Sequence, residues 1–131
     1  MRLVALVPFL VSALVATTAA AQSYPTQPIT LVVPFAAGSG TDAVARVVAK
    51  GLGERLGQQV LVDNRAGASG QIAAQFVASA KPDGYTLMMT TNTTHSANPA
   101  LFRKLRYDPI KGFTPITRVG ELPFAVVVNE K

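Results

Sequence analysis

Two kinds of hydrophobic pattern follow one another along residues 29–91. Runs rich in branched apolar residues at 29–35, 59–65 and 85–91 are typical of strands buried in a parallel sheet. Between these runs, residues 42–56 and 72–80 carry apolar side chains at helical spacing. The order strand, helix, strand, helix, strand, joined by right-handed crossovers, predicts an α/β fold with a parallel β-α-β-α-β core.

The first helix has a clear pattern of ends and faces. Thr41 or Asp42 is expected to cap its start, because their side-chain oxygens can accept from unpaired backbone N–H groups. Gly57 is expected to end it, since glycine readily adopts the left-handed conformation that follows a helix. The stripe predicted to face the sheet contains Val44, Val47, Val48, Leu52 and Leu56.

The chain after the third strand is harder to interpret. Residues 92–99 read as a polar loop, 100–105 as a short helix and 107–112 as a turn. Two further β-like runs follow at 113–120 and 124–131.

The first 21 residues have the pattern of a secretory signal peptide. Arg2 precedes an apolar run from Leu3 to Val15, and small residues at Ala19–Ala21 suit cleavage before Gln22. The run is about 13 residues long, shorter than the ~20 that a membrane-spanning helix needs. We therefore expect a signal peptide at 1–21, a mature chain at 22–131 and a periplasmic location.

Charge and composition narrow the classes of ligand. The net charge is +5, but the basic residues are dispersed except for a cluster at 103–106, which argues against a nucleic-acid-binding stripe and mildly favours anionic ligands. The chain has no cysteine, which excludes disulfides and thiol catalysis. It has one histidine, which excludes a histidine-based metal cluster. We expect neither a metal nor a cofactor.

A glycine-rich loop at 38–43 fits the pattern G-x-G-x-x-A of dinucleotide-binding proteins. Asp63 stands twenty residues beyond Ala43, where such proteins place the acid that binds the ribose. Residues 34–37, however, separate this loop from the strand, and the negative charge of Asp42 opposes a pyrophosphate. The loop can hold a dinucleotide, hold another anion, or make a plain turn.

Three polar loops follow the three predicted strands, at 35–41, 64–70 and 90–96. Ligands of parallel α/β sheets bind beyond the carboxyl ends of the strands, where these loops gather. Backbone N–H groups and a helix N-terminus can hold a carboxylate as well as a phosphate. The sequence thus predicts a polar cup for a small anion. Arg65 either attracts that anion or is simply solvated.

Candidates for catalysis are few. His95 can act as a general base or as an ordinary hydrogen-bonding residue. Ser39, Ser69 and Ser96 lack the G-x-S-x-G surroundings of a hydrolase nucleophile. We expect no enzyme, with an exported hydrolase and a dinucleotide-binding module as alternatives.

Three stretches resemble one family of receptors. They are "YPTQPITLVVPFAAGSGTDAVAR", "VLVDNRAGASGQIAAQFVASAKPDGYTLMMTTNTTHSANPALF" and "LRYDPIKGFTPITRV", and they cover most of residues 24–119. In order and spacing they are similar to the N-terminal part of Bug-type solute receptors of tripartite tricarboxylate transporters. The resemblance implies a periplasmic-binding-protein-like (Venus flytrap) protein that closes on a small carboxylate, such as a di- or tricarboxylate, an amino acid or an aromatic acid. It also implies delivery of that ligand to a membrane permease.

The resemblance also assigns ligand-binding positions to the three loops. In the family the first loop grips one carboxylate, partly through backbone groups. The corresponding positions here are Phe35, Ala36, Ala37, Gly38, Ser39, Thr41 and Asp42 in the first loop, Gly67 and Ser69 in the second, and Thr90, Asn92 and His95 in the third. Two positions depart from the family, which often has glycine at Ser39 and proline at Ala66.

Receptors of this family are longer than 131 residues. The chain corresponds to one lobe, with the second lobe missing or truncated, so one wall of the cleft is expected to be absent. We therefore expect the chain alone to bind carboxylates weakly or not at all.

Overall fold

The structure is a computed structural model that describes residues 23–121, 125, 127 and 128 of the chain. Its elements confirm the predicted α/β core, but the strands are shorter than the sequence indicated, and the third has three residues where seven were predicted. They are β1 (Ile29–Val33), α1 (Gly40–Leu56), β2 (Val60–Asn64), α2 (Gln71–Ala78), β3 (Thr86–Met88) and α3 (Asn98–Leu101). A 3₁₀ turn at Ala68–Gly70 precedes α2, and a wide helical turn at Thr93–Ala97 precedes α3.

The three strands form one parallel sheet in the order β2-β1-β3. Val32 of the central strand pairs with Asp63 on one side and with Met88 on the other. Because all three strands run the same way, their carboxyl ends meet at one edge. The loops that follow them gather there, as the sequence predicts.

The core lies between the central strand and α1. Ile29, Val32 and Val33 are fully buried, as expected for the middle strand of a covered sheet. From α1, Ala45 and Ala49 pack against this strand.

The predicted buried stripe of α1 is wrong at two positions. Val44 and Val47 are exposed, Val47 by 73%, whereas Ala45 and Ala49 are buried. Val48, Leu52 and Leu56 are half-buried along the margin of the contact. The small alanine side chains let the helix lie close to the sheet, and this contact turns the two valines outward.

The ends of α1 confirm one predicted signal and correct another. Gly57 ends the helix with φ 67°, and its N–H donates to the carbonyl of Gly53 over 3.0 Å. The N-cap, however, is Ser39, whose Oγ accepts from the N–H of Asp42 over 3.2 Å. Thr41 and Asp42 are therefore not the caps, since both lie inside the first turn.

The segment after β3 is more helical than predicted. Residues 92–101 wind into helical turns, so the predicted polar loop at 92–99 is wrong, and α3 ends before the predicted 105. No strand forms at 113–120, because a strand needs a hydrogen-bonded neighbour and none pairs with this segment within residues 23–121. Most of the predicted run at 124–131 lies outside the described residues.

The predicted signal peptide at 1–21 also lies outside the described residues and stays a prediction. Among the residues that are described, no helix combines the length and hydrophobicity needed to cross a membrane.

Candidate functional site

The three loops meet at Gly70. This residue is buried with φ 79°, a conformation that glycine adopts without strain. A Cβ atom at this position would lie 2.7 Å from Cγ2 of Thr94 in the third loop and 3.1 Å from Cβ of Pro34, which directly precedes the first loop. Close approach at a position without a side chain therefore brings all three loops into contact.

Asp42 holds the first loop in place. Its Oδ2 accepts from the N–H of Gly38 over 2.8 Å and from Nε of Arg46 over 2.9 Å. Its Oδ1 accepts from Nδ2 of Asn64 over 2.9 Å, and the same amide nitrogen donates to the carbonyl of Phe35 over 3.1 Å. The network joins the first loop to α1 and to the end of β2.

The electrostatics of this network favour the ionised carboxylate. Asp42 is only 2% exposed, and its hydrogen bond from Arg46, with others from Gly38 and Asn64, lowers its pKa to about 2. The three donors occupy both carboxylate oxygens. Asp42 therefore holds the first loop through these hydrogen bonds, and the charge of Arg46 balances its charge.

The first loop also presents unpaired backbone donors. Within residues 23–121, the N–H groups of Ala36, Ala37, Gly40 and Thr41 have no protein acceptor. Two of them belong to the first turn of α1, where four N–H groups lack helical partners and the helix dipole adds partial positive charge. Loop residues 36–38 are exposed, so the edge of this loop is open to an anion.

The second loop has an unusual backbone. Gly67, Ala68, Ser69 and Gly70 have consecutive positive φ values of 129°, 46°, 55° and 79°. Successive left-handed residues turn neighbouring N–H groups outward, and those of Ala68 and Ser69 have no acceptor within residues 23–121. Such strain at non-glycine residues is typical of sites that bind ligands.

Two buried side chains support this strained turn. Asn98 donates through Nδ2 to the carbonyl of Ser69 over 2.9 Å and to Oη of Tyr107 over 3.1 Å. Tyr107 in turn donates to the carbonyl of Thr94 over 2.6 Å. Since Asn98 is fully buried, these bonds tie the second loop firmly to the third.

The third loop supplies hydroxyl groups. Oγ1 of Thr90 lies 2.6 Å from Oγ1 of Thr94, which lies 2.8 Å from Nδ1 of His95. The ring of His95 contacts the ring of Phe113 edge-on at a centroid distance of 4.7 Å. Asn92 is exposed at the start of the helical turn.

Arg65 makes two contacts with neighbouring side chains. Its Nε donates to Oδ2 of Asp63 over 2.7 Å, and its guanidinium lies 3.5 Å from the centroid of the Phe76 ring. These contacts join the end of β2 to α2, and whether Arg65 also attracts an anion stays a prediction. Asp63, which the dinucleotide pattern requires for a ribose, is occupied by the same contact.

Sequence reasoning missed the residues that organise the loops. Asn64, Asn98 and Tyr107 hold the loops without any recognised motif around them. Their only signal was membership of the stretches that resemble the receptor family.

The comparisons with known proteins decide the family. A family model described as "Tripartite tricarboxylate transporter family receptor" matches residues 44–131 of this chain. The chain belongs to this family. Its members are solute-binding receptors, which agrees with the prediction that the chain is not an enzyme and leaves the hydrolase and dinucleotide alternatives without support.

Individual relatives and solved structures support the same family. A UPF0065 protein of Bordetella bronchiseptica is 46% identical over 119 residues, which are 91% of this chain and 36% of that protein. MatC from Rhodopseudomonas palustris with bound malate is 48% identical at a TM-score of 0.67, over 70% of this chain and 31% of that one. R. palustris Rpa4515 with adipate is 46% identical at a TM-score of 0.64, over 66% of this chain and 29% of that one.

These matches confirm the periplasmic-binding-protein-like fold class and the family predicted from the sequence. The chain spans about a third of the length of the relatives it matches.

Proposed function

We propose that this chain forms one wall of the binding cleft of a periplasmic receptor that captures a small carboxylate for uptake through a membrane permease. The observation that carries the proposal is the meeting of three loops at Gly70, with unpaired N–H groups on two of them. A carboxylate accepts hydrogen bonds from such groups, and charge-assisted bonds of this kind are about twice as strong as neutral ones.

The donor groups of the three loops suggest how the ligand is held. In this proposal one carboxylate lies against the N–H groups of the first loop and the start of α1, where the helix dipole favours negative charge. The N–H groups of Ala68 and Ser69 and the hydroxyl of Thr90 approach it from the other two loops. Asp42 positions the first loop and does not contact the ligand directly.

The class of ligand is a dicarboxylate. Two structures similar to this chain contain malate and adipate, which share a pair of carboxylates on a short carbon chain. The site lacks a buried unpaired carboxylate among residues 23–121, so it does not favour a cationic amino group. When the 131-residue chain is tested by itself, we expect weak binding of the dicarboxylate, because a well-formed site buries most of its ligand.

A charge placed in the first loop tests the proposal. Ala37→Asp puts a carboxylate at the exposed edge of that loop, and repulsion at close range is expected to weaken malate binding about tenfold. Gln27→Asp is the matched control, because Gln27 is exposed and precedes β1 at the opposite edge of the sheet. Its affinity should stay within about twofold of the parent chain.

The measurement is isothermal titration calorimetry with malate and adipate, with the neutral diamide of malate as the ligand control. Equal weakening by both substitutions would indicate nonspecific attraction to a basic protein and would contradict the proposed site. Binding of the diamide as tightly as malate would contradict the role of the carboxylates.

A further inference from the structure

Thr90, Thr94 and His95 form a continuous hydrogen-bonded chain in the third loop. Its two links measure 2.6 Å between the hydroxyls and 2.8 Å between Thr94 and Nδ1 of His95. Thr94 is fully buried, so its single proton has to be used inside this chain. Thr90 and His95 are half-buried and line the same groove beside β3, which the donors of the first and second loops do not line. Thr90 follows β3 at the edge of the sheet where the three loops gather.

The direction of proton donation along these hydrogen bonds depends on whether Nδ1 of His95 carries a proton. When Nδ1 is unprotonated, it accepts from Thr94, and Thr90 then donates its own proton to Thr94. When Nδ1 carries a proton, it donates to Thr94, Thr94 donates to Thr90, and the Thr90 proton is released. Among the described residues, the other acceptor for that proton is the carbonyl of Thr91 at 3.4 Å, a long and weak contact.

We propose that His95 is a positioning residue that sets the direction of the Thr90 hydroxyl, so that Thr90 donates to a bound carboxylate when Nδ1 is protonated. The inference rests on the proposed function, because it assigns a partner to the released proton. An ionised carboxylate only accepts hydrogen bonds, so its binding selects the state with protonated Nδ1. The opposite state would point an oxygen lone pair at the anion.

The surroundings of His95 determine how this selection works. Burial lowers the pKa of His95, which favours the neutral ring, and the neutral ring has two tautomers between which the ligand can select. Lys81 and Lys111 line the same groove, and Tyr107 lies behind Phe113. No carboxylate is among the described residues that line this groove.

A pH dependence follows from the same geometry. Below the pKa of His95 both ring nitrogens carry protons, and Nδ1 can only donate. Affinity for the carboxylate is therefore expected to rise as the pH falls through that pKa, and ligand binding is expected to raise the pKa in return. The ionisation of malate itself changes affinity equally in every variant, so the ratio between variants isolates His95.

His95 is the single histidine of the chain, so its imidazole signals need no assignment. The full chain labelled with ¹⁵N-histidine is titrated with malate, and the Nδ1 and Nε2 shifts report the tautomer and the pKa. Malate is expected to move Nδ1 toward its protonated shift and to raise the pKa. His95→Phe, which keeps a ring against Phe113, is expected to lose about threefold to tenfold in affinity and the pH-dependent component.

Ser96→Ala is the matched control, since Ser96 is exposed beside His95 and is expected to retain the parent pH profile. If malate shifts the amides of the first and second loops while the tautomer and pKa of His95 stay unchanged, the inference fails and the proposed function stands. A His95→Phe profile parallel to that of the parent chain also overturns the inference. If no amide of the three loops shifts at saturating malate, both are overturned.

Discussion

At the scale of single residues, Asp42 connects several parts of the site. Its carboxylate joins the first loop, α1 and the end of β2 through three donors. Asp42→Asn removes the ion pair with Arg46 and one acceptor oxygen, so the first loop loses its anchor. We expect a melting temperature lower by several degrees and weaker malate binding.

Glu54→Gln is the matched control for this substitution. It neutralises an exposed carboxylate on the same helix and is expected to leave the melting temperature nearly unchanged.

The pH dependence of stability gives a second readout of the role of Asp42. Because the folded pKa of Asp42 is about 2, below its ordinary value of 3.8, its stabilisation is present at neutral pH and is lost as the pH falls from about 4 through 2. Thermal unfolding of Asp42→Asn with the same acid dependence as the parent chain would contradict this role.

At the scale of elements, the contact between α1 and the sheet depends on small side chains. Ala45→Leu adds bulk where the helix approaches β1, and overpacking of this kind costs about 1–3 kcal/mol in the free energy of unfolding. Val47→Leu is a larger residue at an exposed position of the same helix and should cost less than about 0.5 kcal/mol. Urea denaturation measures both, and similar midpoints would show that α1 does not pack through its alanines.

The sequence predicted the elements better than their faces. The valine stripe and the alanine stripe of α1 have the same helical period, and hydrophobicity favours valine, whereas the close approach to β1 requires alanine. Ser39 was overlooked as the cap because Asp42, the stronger acceptor by type, is turned inward by Arg46 and Asn64. Residues 92–99 wind into helical turns whose Asn98 and Thr94 bond to Ser69 and Tyr107, partners outside the segment that local propensity does not contain.

At the scale of the whole molecule, parallel strand order accounts for the site. Once the strands were predicted, the gathering of three loops at one edge followed, and this was confirmed. Contacts between the loops could not be predicted, since they depend on Gly70 approaching Thr94 and Pro34. The chain spans about a third of the length of its relatives, and in the proposed function it contributes one wall of the cleft.

Binding of a carboxylate by the three loops is tested by a residue-by-residue map of backbone amide shifts in the ¹⁵N-labelled chain on addition of malate. We expect the largest shifts to fall together on Ala36, Ala37, Gly40 and Thr41 in the first loop and on Ala68 and Ser69 in the second. Shifts that are confined to the exposed basic segment 103–106, or scattered over both edges of the sheet, would contradict it.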